Sequence, residues 1–297
     1  MKNTKLITLI LMVATVVTGI AVAETCHYVN GVEGIKAGSL PPPGLYYRMY
    51  HAFYTADTVT DGSGAELPVG LDLDVYAFVN RLIWITDKKI LGGDYGADVI
   101  VPLINTDFQL SALSLDDDQF GFGDICIEPL LLSWHGAKWD LGFGLGGYIP
   151  TGDYDVARPS SPGKDMWTGM LTLGGTIYDS PERVWSASIL GRYEVHSEKG
   201  DSDVTPGDDF HFEWGIARNF NKTLDVGVTG YCQWQVESDK GSAAESTDKD
   251  QVYAIGPEVM YFLPPAKSFL SLRTQWEFEA EDRPEGNITT LTWTKIL

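Results

Sequence analysis

The chain of 297 residues is poor in basic side chains. It has 21 Lys and Arg against 41 Asp and Glu, a formal charge of −20. A polyphosphate backbone is held mainly by Lys and Arg, so nucleic acid is excluded as a partner. Cysteine is scarcer still: Cys26, Cys126 and Cys232 are too few for a disulfide-built scaffold. Beyond residue 23 there is no run of 18 apolar residues, which excludes a membrane-spanning helix but not a wall of strands. Glycine, by contrast, is abundant at 32 residues, and aromatics reach 12%. Both are poor helix formers, so the composition favours an all-β chain.

The first 23 residues have the build of an export signal. Lys2 and Lys5 precede an apolar stretch from Leu6 to Ile20, and Ala21-Val22-Ala23 supplies the small-x-small cleavage site. Residues 24–43 form a Gly- and Pro-rich leader that ends in Pro41-Pro42-Pro43. From Gly44 to Leu297, apolar and polar residues alternate with the period of strands that have two different faces. The alternating segments are 44–56, 69–85, 91–104, 120–134, 137–150, 166–178, 183–196, 209–219, 223–237, 251–263, 268–280 and 287–297. A soluble sandwich also alternates, so periodicity alone leaves two folds open. The connections decide between them. They run long (57–68), short (86–90), long (105–119), short (135–136) and long (151–165), and keep that rhythm to 238–250. Outer-membrane barrels join strands by short periplasmic turns and longer external loops. The expected fold is thus a twelve-stranded antiparallel transmembrane β-barrel over 44–297, with 24–43 inside the lumen or across its periplasmic mouth.

Face parity then assigns the lumen. In 69–85, Val69, Leu71, Leu73, Val75, Ala77, Val79 and Ile83 are read as lipid-facing, with Asp72 and Asp74 inward. The same reading places Asp94, Asp98, Asp124, Glu128, Glu194, Glu213, Glu277 and Glu279 inward, against Arg48, Lys138, Arg192 and Arg273. An excess of acids would concentrate cations, so the pore is expected to prefer them. His196 and His211 share this inner face, and a satisfied polar lumen accounts for them. Cys26, His27 and Tyr28 open the leader. Cys126 has inward parity, so it is expected near Cys26, either bonded to it or as a separate buried thiol, while Cys232 faces lipid. Pro102, Pro129 and Pro257 fall inside proposed strands, where breaks or bulges are required.

Chemistry-bearing patterns are weak. Gly142-Phe143-Gly144-Leu145-Gly146-Gly147 fits the dinucleotide fingerprint only in letters, because a strand end and turn follow it, not a helix. Asp116-Asp117-Asp118 lacks calcium-loop spacing and reads as an external loop. His51 has outward parity but no Ser partner of the kind a lipid hydrolase needs. No cofactor and no metal-ligand spacing is recognisable.

Several stretches together resemble a known family. They are Cys26-His27-Tyr28-Val29-Asn30-Gly31, Pro41-Pro42-Pro43-Gly44-Leu45-Tyr46, Leu91-Gly92-Gly93-Asp94-Tyr95-Gly96, Tyr148-Ile149-Pro150-Thr151-Gly152-Asp153 and Ile255-Gly256-Pro257. The order of these motifs is similar to that in the phenol-degradation MetA-pathway family of outer-membrane proteins. The resemblance implies an outer-membrane channel for small hydrophobic or aromatic compounds, with no catalytic residues to carry over. The expected partners are outer-membrane lipids, a small solute and the barrel-assembly machinery, which would read the final strand with Leu291, Trp293 and Leu297. A barrel without flux and a lipid-modifying enzyme are the alternatives.

Overall fold

The computed structural model describes residues 26–244 and 248–297; the export-signal reading lies outside them. The strands are β1 (Gly44–Val59), β2 (Leu71–Ile90), β3 (Gly93–Leu110), β4 (Leu115–Phe122), β5 (Ile125–His135), β6 (Trp139–Ile149) and β7 (Thr168–Tyr178). They continue as β8 (Trp185–His196), β9 (Asp209–Phe220), β10 (Leu224–Gln235), β11 (Gln251–Leu263), β12 (Ser268–Glu281) and β13 (Pro284–Ile296). All pairings are antiparallel. β3 pairs with both β4 and β5, which are two halves of one stave interrupted at Gly123-Asp124. β1 pairs with β2 on one side and β13 on the other, which closes the wall. The result is a closed barrel of twelve staves and no free sheet edge, the form in which a β-sheet satisfies its backbone inside a bilayer.

The outside carries the apolar belt. Trp84, Leu173, Ile177, Ile189, Ile216 and Leu272 are each about half or more exposed, and only lipid can solvate such a continuous surface. Trp139 and Trp185 stand exposed at the short-turn end, and Trp293 meets Tyr47 edge-on there, at the depth where interfacial aromatics collect. The short-turn end is taken as periplasmic. β12 and β13 are joined at the outer end by only Asp282-Arg283, and this turn bonds Thr60 and Asp61 beyond the end of β1.

Three expectations change. First, 105–119 is not a loop. β3 and β4 pair from Leu103↔Phe122 to Leu110↔Leu115 in a hairpin that extends the wall outward. Phe108 and Leu110 pack there with Val59, Val69 and Leu71, so burial and ladder bonds outweigh the local run of acids. Asp117 accepts a hydrogen bond from Arg158 at 2.6 Å, which ties loop 150–167 to the hairpin. Second, β2 has the opposite facing. Ala77, Arg81, Ile83 and Ile85 are buried inside, whereas Leu82 and Trp84 are exposed to lipid. Asp72 and Asp74 therefore point outward, at the outer end of the stave. Third, Glu279 sits exposed at positive φ in the irregular outer end of β12, and Lys138 lies on a periplasmic turn. Neither faces the lumen.

The prolines fall where the ladder is interrupted. Pro102 lies between the β3–β5 and β3–β4 pairings, and its carbonyl accepts the Gly123 N–H at 3.1 Å. Pro129 occupies the register shift between Ile127 and Leu130, and Pro257 the gap in β11–β12 pairing between Ile255 and Glu258.

Candidate functional site

Residues 26–43 run through the lumen without regular secondary structure, from the outer ends of β7–β9 down to the periplasmic mouth. The segment is held by wall side chains and not by a β-ladder. Glu194 accepts the His27 N–H at 2.7 Å and the Tyr28 N–H at 3.2 Å. Lower down, Glu213 accepts Glu33 N–H, and Glu258 accepts Ile35 N–H at 2.7 Å. Lys36 pairs with Asp225 at 2.9 Å, and Ser39 donates to Asp140 at 2.9 Å. Between these, Gly38 lies directly on β7. A Cβ at Gly38 would collide with the Gly175 backbone, and one at Gly174 would come within 2.9 Å of Gly38 Cα. The glycines of β6 and β7 thus make a side-chain-free floor for the segment. The Gly142–Gly147 run contributes to it: Gly142 and Gly144 face inward, while Phe143 and Leu145 turn outward.

Two ionic clusters occupy the lumen. The first is centred on Arg81, which donates to Asp98 at 2.6 Å, Glu33 at 2.8 Å and Glu128 at 2.9 Å. Arg48 also pairs with Glu33, and Tyr50 donates to it at 2.8 Å. One guanidinium thus joins the segment to β2, β3 and β5. The second cluster is built on imidazoles at the outer ends of β5 and β7–β9. His27 contacts Asp124 at 3.0 Å, His196 contacts Asp209 at 3.1 Å, and His211 contacts Glu194 at 3.2 Å. Thr168 bridges His27 and His196 at 2.9 Å each. His27 stacks on Tyr148, and Tyr28 stacks on His211 beneath the Arg192 guanidinium.

Of the residues assigned to the lumen, the structure places Arg48, Asp94, Asp98, Asp124, Glu128, Arg192, Glu194, His196, His211, Glu213, Arg273 and Glu277 on the inner face. Arg192 pairs with Glu213 and Arg273 with Glu258, while Asp94 pairs with Lys89 near the periplasmic end. Asp72 and Asp74 are not among them. Cys26 and Cys126 pack in one buried cluster with Tyr28, Tyr148 and Met170, and no disulfide joins them. Parity missed Arg81, the lone cation in the apolar row of β2, because that row was assigned to lipid. It also missed Arg283, which donates to Gln233 at 2.8 Å inside the barrel. Glu33 and Glu258 carried no sequence signal, since the cations that pair with them lie 15 residues away or more.

Above the Arg81 cluster, the inner wall of β1–β3 is apolar. Ala52, Ala77, Val79, Ile104 and Tyr54 pack with Val252, Ala254 and Ile288 across the β1–β13 seam. Phe108 extends this strip to the outer rim.

Among solved structures, an outer membrane channel from Pseudomonas putida F1 superposes with a TM-score of 0.78 at 15% identity, over 91% of this chain and 100% of that one. The transport unit of the autotransporter AIDA-I from Escherichia coli superposes at 0.51 and 8% identity, over 96% and 97% of the two chains. At these identities the likeness is one of fold. No curated protein matches the chain by sequence. The family model described as putative MetA-pathway of phenol degradation matches residues 56–293, nearly the whole wall, and the chain belongs to that family.

Proposed function

We propose that this protein is an outer-membrane channel through which small hydrophobic or aromatic compounds diffuse passively. The observation that carries the reading is the apolar inner strip of β1–β3, with Ala52, Tyr54, Ala77, Val79, Ile104 and Phe108. A porin lumen is polar and conducts water-soluble solutes; an apolar strip instead lowers the cost of desolvating an apolar one. Residues 26–43 act as a stopper that can shift without breaking the sheet, because side chains hold it. The family's association with phenol degradation and the fold of the Pseudomonas putida channel support the solute class and the role.

On this reading the protein is a conduit and not an enzyme. A lipid hydrolase would need a Ser beside an outward His, and outward His51 instead bonds the Tyr76 hydroxyl at 2.7 Å. The outward Leu291 on β13 supports handling by the barrel-assembly machinery.

Flux into proteoliposomes tests the reading. Benzoate and hydroxybenzoate should cross faster than sugars of similar size, and Val79→Asp should slow the aromatics more than the sugars. Equal rates for both classes would overturn the apolar path, and no flux of any solute would favour a purely structural barrel.

A further inference from the structure

We propose that Cys26, Glu194 and His211 form a site for a thiophilic divalent cation, Zn²⁺ by its donor chemistry, that fastens the N-terminal segment to the wall at β8–β9. The thiol, one carboxylate oxygen and one imidazole nitrogen lie within 4.8 Å of one another, and all three residues are buried. Zinc bonds to sulfur at about 2.3 Å and to nitrogen or oxygen at about 2.0 Å. Its ligand atoms therefore stand roughly 3–4 Å apart, so the donors need close by only about an ångström. Thiolate with imidazole is the soft set that selects zinc over magnesium or calcium.

Independent observations point to a missing cation here. The other buried glutamates of the lumen each face a guanidinium: Glu33 faces Arg48 and Arg81, Glu128 faces Arg81, Glu213 faces Arg192, Glu258 faces Arg273 and Glu277 faces Arg283. Glu194, fully buried, has His211 as its ion-pair partner. An imidazole, unlike a guanidinium, carries a charge only when protonated. In addition, His211 Nδ1 and Asn30 Oδ1 are buried with no hydrogen-bond partner. The Asn30 carboxamide approaches Cys26 Sγ, with Nδ2 at 4.0 Å. Buried polar atoms rarely remain unsatisfied, and both of these residues border the Cys26 thiol. A divalent ion bound to one thiolate and one carboxylate is electrically neutral. The Cys26 thiol releases its proton to solvent on binding, and water takes the fourth position. The two other imidazole–carboxylate pairs of the cluster, His27–Asp124 and His196–Asp209, bring no thiol and so give no such set.

The test uses the folded full-length barrel, stripped with chelator and titrated with Co²⁺, then Zn²⁺. Wild type should bind one Co²⁺ with a thiolate-to-cobalt charge-transfer band that Zn²⁺ abolishes. Cys126→Ser and Cys232→Ser should keep the band and Cys26→Ser should lose it, folding in each being checked by heat-modifiability. Should Cys26→Ser fail to fold, the wild-type readings decide: Zn²⁺ should raise the midpoint of thermal unfolding, and chelator should lower it. Absence of both band and shift in wild type, or a band that survives Cys26→Ser, overturns the site.

Discussion

In the lumen, carboxylates come with partners. Arg81 serves Glu33, Asp98 and Glu128, with Arg48 sharing Glu33, and Arg192 and Arg273 serve Glu213 and Glu258. At the outer mouth, acids crowd one another instead. Asp282, on the β12–β13 turn, has its carboxyl pushed up to about 6 by burial and by the charges of Asp248, Asp239 and Asp61. Asp72 and Asp74 add to this outer population, exposed on the outer part of β2. The contrast teaches that a chain charge of −20 does not measure the potential inside. Much of the excess sits outside, and the interior is an assembly of ion pairs whose role is cohesion.

Removing residues 26–43 tests the lumen side most strongly. The deletion takes away Glu33 and the contacts to Glu194 and Glu258, and should raise single-channel conductance several-fold; an unchanged conductance would place the main resistance elsewhere. Replacing the shared cation comes next. Arg81→Met leaves Asp98 and Glu128 buried beside Glu33, which keeps Arg48, and loss of one partner in a buried pair costs about 3–5 kcal/mol. The variant should unfold at markedly lower urea on heat-modification gels, and adding Glu33→Gln should recover part of the loss. An Arg81→Met barrel as stable as wild type would show that the pairs are dispensable.

The outer mouth gives smaller effects. Its acids should confer a cation preference that fades as salt rises from about 0.1 M to about 1 M, because the screening length falls from about 10 Å to about 3 Å. Reversal potentials under a salt gradient measure it, and a preference that resists salt would locate selectivity in the lumen. The smallest effect is at Asp282. Its native carboxyl holds the proton more tightly than the unfolded chain does, near 3.9. The native state therefore binds more protons between about pH 4 and about pH 6, and stability falls as pH rises across that window and levels off above it. Asp282→Asn should flatten that slope and stabilise the neutral-pH barrel by less than about 1 kcal/mol, since half-exposed charges are screened. Urea midpoints on either side of the window check it.

The number of staves was legible because period-2 alternation and loop rhythm are local properties, although the outer ends of β3 and β4 were read as a loop. Parity failed on β2 for a physical reason. The rule that polar means inward holds only at bilayer depth, and Asp72 and Asp74 lie near the stave's outer end. Apart from Arg81, the middle of β2 is mostly apolar on both faces: Ala77 and Val79 turn inward, and Leu82 and Trp84 meet lipid. Alternation cannot orient such a strand. The Arg81 cluster was invisible for a second reason, as it joins residues from the leader, β2, β3 and β5 that share no sequence spacing. On β6, by contrast, the pattern and the facing agree: Gly142 and Gly144 turn inward, and Phe143 and Leu145 turn to the lipid side.

The leader's wall contacts also constrain how the molecule is assembled. Arg273 bonds the Val32 carbonyl across 241 positions of chain, Glu258 holds Ile35 across 223, and Glu194 holds His27 across 167. The wall itself is sealed only when β1 meets β13, the first stave and the last. Loop-closure entropy must be met before such distant contacts give any return, so the stretch synthesised before β1 stays without its partners until nearly all the strands have been laid down. Insertion and filling are then successive events: a barrel caught midway would have a hydrogen-bonded wall and a leader still sensitive to protease, and its ion pairs would form last.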